Sequence, residues 1–278
     1  MRKILAVSGG VDSVVMLHLL RGERPVVAHF NHGIRGNAGE DEDFVRRKAE
    51  EYGLDFVVER GDLGSGASEA EARLRRYAFL GRVAKKMRGE IYVAHHRDDL
   101  VEGVVINLLR GTGWRGLAPF GNERIRRPLL SWNKAEIYEY ATKNELRFRQ
   151  DQSNSEEEYL RNRVRRQLEL VRLEGRGEVL KNMVDLAERQ MEVRGEVDRI
   201  LDTILPEGGR YEREWFREMD DGVAMEILRA GLLRVGRRAT RPQLRDFLGA
   251  VRDYAVAKSF NLPGDYLVRF AKDSFVLK

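Results

Sequence analysis

Three groups of residues have types and spacings that could do chemistry. The first, Ser8-Gly9-Gly10-Val11-Asp12-Ser13, lies between the apolar runs Ile4-Leu5-Ala6-Val7 and Val14-Val15-Met16-Leu17. That order reads as a buried strand, a tight glycine turn and a helix start. A helix N-terminus presents unpaired N–H groups and a positive dipole end, which suits a phosphate. Gly9 and Gly10 let the backbone approach an anion closely, and Ser8 and Ser13 add hydroxyls. The carboxylate of Asp12 would repel a phosphate unless a cation lay between them, so it points to a divalent metal. The second group is Asp98, Asp99 and Glu102. Acids at a helix start favour its dipole, and Asp99 and Glu102, three residues apart, share a helix face. Two carboxylates there can ligate Mg2+ or hold a cationic amine, with Asp12 contributing to the same site. The third group is the histidines His29, His32, His95 and His96. Their spacing is weak evidence for zinc, and they read better as backbone organisers and nucleotide contacts.

These groups need a frame that brings them together. Val-rich runs at 3–7, 26–30, 55–58 and 90–94 suit strands buried on both faces of a parallel sheet. Helical patterns at 13–20, 41–52, 68–87 and 98–109 alternate with them. The series predicts a doubly wound α/β sheet with ligands at the carboxyl ends of its strands, so the loops after strands one, two and four should carry the chemistry. Beyond residue 156 the pattern becomes helical, with predicted helices at 182–205, 223–235 and 241–254. The tail, 258–277, alternates apolar and polar residues around Pro263-Gly264-Asp265, which predicts a small antiparallel sheet.

The sequence has 278 residues and no cysteine, which excludes disulfides, thiolate metal sites and persulfide carriers from this chain. No apolar run approaches membrane-spanning length, and the N-terminus enters a core strand at once, so a soluble cytoplasmic protein with no membrane partner is expected. Residues 1–150 hold 26 Lys and Arg against 21 Asp and Glu, and residues 151–278 hold 24 of each. The cationic excess therefore lies in the first half. It bunches around Arg73–Arg88, Arg124–Arg127 and Arg161–Arg166, and its arginine-rich character favours phosphate contacts and a nucleic-acid partner.

The glycine turn lacks the lysine of a Walker loop and the third glycine of a dinucleotide fingerprint. It resembles instead the pyrophosphate loop of the N-type ATP pyrophosphatases, which activate an oxygen by adenylation. The resemblance narrows along the chain. His29-Phe30-Asn31-His32-Gly33-Ile34-Arg35 looks like the second motif of the tRNA(Ile)-lysidine synthetases. His95-His96-Arg97-Asp98-Asp99-Leu100-Val101-Glu102, with Leu108-Leu109-Arg110-Gly111-Thr112-Gly113, looks like their third. Ala72-Arg73 with Arg76-Tyr77, Arg127-Pro128-Leu129-Leu130, Asp151-Gln152-Ser153-Asn154 and Arg161-Asn162-Arg163-Val164-Arg165 complete the series in order.

The resemblance implies ATP-dependent adenylation of the wobble cytidine at C2 in tRNA(Ile) with a CAU anticodon, then attack by the amine of free L-lysine. Ser8, Gly9, Gly10, Val11, Asp12, Ser13, His29 and Arg73 would hold ATP, with Mg2+ on Asp12 and Asp99. Asp12, Asp99 and Glu102 would be catalytic, and Arg35, Arg76, Arg110, Arg161, Arg163 and Arg165 would contact the tRNA. The division expected is a catalytic domain at 1–170 and a helical, tRNA-contacting domain at 171–278. The chain reads as a short form without a second C-terminal domain, and its long helices leave a homodimer open. The rival readings are base thiolation, amidation of the GMP- or NAD-synthetase kind, and a non-enzymatic RNA-binding module. The missing cysteines weigh against the first, the His-Phe-Asn-His and Arg-Asn-Arg motifs, which amidating enzymes lack, against the second, and the intact acids against the third.

Overall fold

The computed structural model describes residues 1–33, 38–61, 69–121, 125–149, 156–256 and 258–278. They fall into two compact units, Met1–Glu192 and Val193–Lys278. In the first, β1 (Arg2–Ala6) pairs in parallel with β2 (Val26–Asn31) on one side and β4 (Gly89–Tyr92) on the other. β3 (Phe56–Arg60) extends the sheet beyond β2, and the two-residue β5 (Ile125–Arg126) extends it beyond β4. The order is therefore β3-β2-β1-β4-β5, all parallel; the doubly wound parallel sheet is the one expected from the sequence, with the short β5 added to its four strands. The chain winds outward from β1 to β3 and then returns to lay β4 beside β1. That reversal opens a crevice at the carboxyl ends of β1 and β4, where α/β sheets bind ligands.

Alternation along β1 supplies both faces of the core. Leu5 and Val7 pack with Val15, Leu17, Val45 and Ile137 from α1 (Val11–Leu20), α2 (Ala38–Glu51) and α5 (Lys134–Lys143). Ile4 turns the other way, with Ala28, Phe30, Phe79, Leu80 and Val83, the last three from α3 (Glu69–Met87). α4 (Arg97–Leu109) uses Leu100, Val101 and Val104 against Leu180, Val184 and Ala187 of α7 (Gly177–Ile204). α6 (Glu156–Leu173) lies against α4 as well. α1 needs no amphipathic stripe, because it is buried nearly all round.

The second unit holds β6 (Arg210–Glu212), α8 (Glu214–Glu218), α9 (Asp221–Arg234), α10 (Arg241–Asp253), β7 (Ser259–Leu262), β8 (Tyr266–Arg269) and β9 (Ser274–Val276). The antiparallel tail expected from the sequence divides. β7 and β8 form a hairpin, while β9 pairs with β6. Its core includes Tyr211, Phe216, Phe247 and Phe275. Arg213, only 4% exposed, donates to the carbonyls of Val251, Arg252, Tyr254, Ala271 and Lys272. It thereby ties the end of α10 to the strand region through carbonyl oxygens. No helix among the described residues is long and apolar enough to cross a membrane.

Candidate active site

β1 delivers Val7-Ser8-Gly9-Gly10 directly into α1. Gly9 has φ 95°, in the region that favours glycine, so any side chain there would be strained by the backbone, although a Cβ would meet Phe44 and Val45 only in ordinary contact. Gly10 caps α1 with extended backbone and no side-chain acceptor, which leaves the first turn's donors to an anion. Ser13 Oγ accepts from the N–H groups of Gly9 (3.1 Å) and Ser8 (3.2 Å) and donates to Gly10 O (2.8 Å). Its proton is thus used within the loop, so in this arrangement Ser13 sets the loop's curvature. Ser8 is exposed.

Neighbouring elements brace this loop. His29 on β2 is buried, with Nδ1 2.8 Å from Val7 O. A carbonyl can only accept, so Nδ1 carries the proton; burial lowers the His29 pKa and keeps the ring neutral. Arg149 donates its backbone N–H to Gly9 O at 2.9 Å and its guanidinium to Asp41 (2.9 Å) and Glu40 (2.6 Å) on α2. At the end of β2, Asn31 Oδ1 accepts from Gly33 N (3.0 Å) while its Nδ2 donates to Glu42 Oε2 (3.1 Å). Glu42 also receives Arg60 and Arg46, and hydrogen bonding from Arg60 above all lowers its pKa to about 2. Arg35 and the 151–154 motif lie outside the described residues.

The acids of α4 meet this loop across the crevice. His96, at the N-cap of α4, places Nε2 4.0 Å from Asp12 Oδ1 and 3.5 Å from Asp99 Oδ2, while its Nδ1 lies 3.8 Å from Asp98. The His96 N–H donates to Asp99 Oδ2 at 3.0 Å, fixing that carboxylate over the helix start. Asp12 receives Lys134 Nζ at 2.6 Å, and the Lys134 N–H donates to Asp98 Oδ2 at 2.8 Å. Lys134 therefore links the phosphate-type loop to the acidic turn.

α6 brings arginines onto the same acids. Arg165 Nε donates to Glu102 Oε1 at 2.5 Å and Nη2 lies 3.6 Å from Asp99. Arg161 Nε is 3.8 Å from Glu102 Oε2, and Arg172 donates to Asp98. Glu102 is 3% exposed, and burial raises its pKa above the usual glutamate range despite Arg165. Arg163 faces solvent on α6, Arg110 is the exposed C-cap of α4, and Arg73 and Arg76 lie on α3 beside Tyr77. The described residues contain no group of three His, Asp or Glu placed as a ready-made metal cage. Two carboxylates beside a phosphate cradle still fit Mg2+, which commonly takes its other oxygens from phosphate and water.

Residues 1–171 match the PP-loop domain family. Among curated proteins, the chain is 34% identical over 218 residues to tRNA(Ile)-lysidine synthase from Exiguobacterium sibiricum, covering 69% of this chain and 53% of that one. It is 40% identical over 185 residues to the Geobacter sulfurreducens tRNA(Ile)-lysidine synthase, covering 60% and 39%. It is also 40% identical over 185 residues to the bifunctional protein TilS/HprT of Listeria monocytogenes serotype 4b, covering 59% and 28%. The matched stretch thus spans about half or less of these relatives. Among solved structures, the U34-tRNA thiolase NcsA from Methanococcus maripaludis is similar in fold, with a TM-score of 0.59 at 20% identity over 69% of this chain and 73% of that one. The glycine turn, the strand order and these matches agree: the chain belongs to the PP-loop family.

Proposed function

We propose that this chain is a tRNA(Ile)-lysidine synthetase that joins L-lysine to C2 of the wobble cytidine in a CAU anticodon. The observation that carries the reading is the meeting of Asp12 and Asp99 around His96, which sets a phosphate cradle against a carboxylate pair suited to an amine. The similarity to tRNA(Ile)-lysidine synthases supports the choice of substrate.

In the first step the cytidine C2 oxygen attacks the α-phosphorus of ATP and the bond to the β-phosphate breaks. Ser8, Gly9, Gly10, Val11 and the first turn of α1 hold the departing pyrophosphate, with Ser13 and His29 shaping the loop and Arg73 contributing charge. Asp12 and Asp99 would hold Mg2+, which supplies charge neutralisation of the phosphates. In the second step the lysine ε-amine attacks C2 and the C2–O bond to AMP breaks. Asp99 and Glu102 receive the ammonium in exchange for the guanidinium of Arg165, cation for cation. Glu102, with its raised pKa, is suited to take the proton the amine loses. Arg76, Arg110, Arg161, Arg163 and Arg165 would contact the tRNA, as would Arg35, which lies outside the described residues. Residues 1–170 would form the catalytic domain, 171–278 would add tRNA contacts, and a homodimer and a cytoplasmic location fit the reading. The absence of cysteine in this sequence disfavours thiolation by a cysteine-borne cluster or persulfide.

The test is transfer of labelled lysine, with ATP and Mg2+, to tRNA(Ile) bearing CAU. Incorporation there and none into the CAU elongator methionine tRNA is expected; no incorporation, or equal incorporation, would sink the reading.

A further inference from the structure

Beside the acids, a second cluster gathers cations around one histidine. His95 follows β4, and its ring lies flat against Phe120, with centroids 4.7 Å apart and planes inclined by 3°. Arg127 directs Nε toward His95 Nδ1 at 3.4 Å, donates through Nη1 to Ile125 O at 3.0 Å and sits 4.8 Å over the Phe120 ring. Burial, reinforced by Arg73, Arg127, Arg76 and Arg161, holds His95 well below its ordinary pKa and hence neutral. Arg73 and Arg76 lie 5.0 and 5.5 Å over the ring of Tyr77. The Tyr77 hydroxyl is buried with no hydrogen-bond partner in the structure, and Tyr77 and Arg73 both act electrostatically on Arg127.

A buried hydroxyl without a partner is costly, and that cost falls when an acceptor such as a phosphate oxygen enters. Aromatic faces fix the planes of Arg73, Arg76 and Arg127, which suits the bidentate edges to phosphate oxygens. A neutral His95 that accepts at Nδ1 keeps its proton on Nε2 as a further donor. The triphosphate already has a cradle at Gly10, so a phosphate at this second cluster would be a different one.

We propose that Arg76, Arg127, His95 and the Tyr77 hydroxyl form a subsite for a backbone phosphate of the RNA substrate. It rests on the reading that the enzyme acts on RNA, and it assigns Arg127, His95, Phe120 and Tyr77, none of which that reading uses. The shared chemistry is a nucleotide phosphate, which ATP could also present, so both are tested by binding alone.

The experiment measures affinity of the full chain for an anticodon stem-loop RNA and, separately, for ATP-Mg2+. The variants are Arg127→Gln and Phe120→Leu, each with a thermal melt to establish folding. Arg127→Gln should weaken RNA binding about tenfold and reduce the salt slope by about one, with ATP affinity unchanged. Phe120→Leu, which removes the ring that orients Arg127, should weaken RNA binding in the same direction by a smaller factor. Unchanged RNA affinity in both folded variants overturns the subsite, as does loss confined to ATP. A chain that transfers no lysine yet shows the RNA effect retains the subsite and loses the lysidine reading, so the two fail separately.

Discussion

Arg165 holds Glu102 through a 2.5 Å hydrogen bond although the two lie 63 residues apart, on α6 and α4. The carboxylate assigned to an amine is thus already seated against a cation, and that cation sets its acidity.

Burial raises the pKa of Glu102, and Arg165 opposes the rise. Lysine transfer by a Glu102 that must accept a proton should fall as pH drops through this raised value, giving an acid limb above the ordinary glutamate range. Arg165→Gln removes the group that lowers the pKa, so the limb should move to higher pH. The check is the pH profile of lysine transfer on preadenylated tRNA at lysine concentrations far below saturation, where Glu102 still faces Arg165, for both proteins. An acid limb that stays in place would separate Glu102 from the proton transfer.

Glu42 makes a different pH prediction, about stability. Its pKa of about 2 in the folded protein lies below the ordinary glutamate value of 4.5. A depressed carboxylate contributes stability that is present above pH 4.5 and is lost as pH falls toward 2. Arg60 is largely exposed, so screening reduces the gain. Glu42→Gln should cost on the order of 2 kcal/mol at pH 7 in urea unfolding, and the gap to the parent should close with acidification. A gap independent of pH would show that packing alone is lost.

Arg213 is the corresponding anchor of the second unit. Replacing it by Met removes the donors from five carbonyls on two segments, 251–254 and 271–272. Unpaired buried acceptors predict a loss of about 3 kcal/mol, read as a lowered melting temperature of the transition that reports the second unit. A shift no larger than that of a surface variant would mean the carbonyls find other partners.

What could be read from the sequence was whatever the chemistry keeps local. The glycine turn, Asp12, and the Asp99–Glu102 spacing each declare themselves within a few residues, and the strand alternation fixes the sheet edge that gathers them. Lys134 could not be read, because its partner Asp12 lies 122 residues away. Arg149 and Glu42 were invisible for the same reason: their roles exist only once α2 packs beside β2 and the loop before α1. α5 did leave a signal that went unused, since Asn133 and Glu136 form a reciprocal capping box. β6 and β9 pair across some sixty residues in runs of three, too short for periodicity to mark. The arginines of α6 could be read as charge. That Arg161 and Arg165 reach the acids of α4 depends on how α6 lies across α4.

The central claim is that the loop before α1 and Glu102 on α4 serve successive steps, with Asp99 shared between them. The most direct measurement follows pyrophosphate release and lysine transfer separately, with tRNA(Ile) bearing CAU, in Asp12→Asn and Glu102→Gln. Asp12→Asn should release at least tenfold less pyrophosphate. Glu102→Gln should release pyrophosphate and accumulate adenylated tRNA while transferring little lysine. If both variants fail at the same step, the division of the site into a phosphate half and an amine half is contradicted.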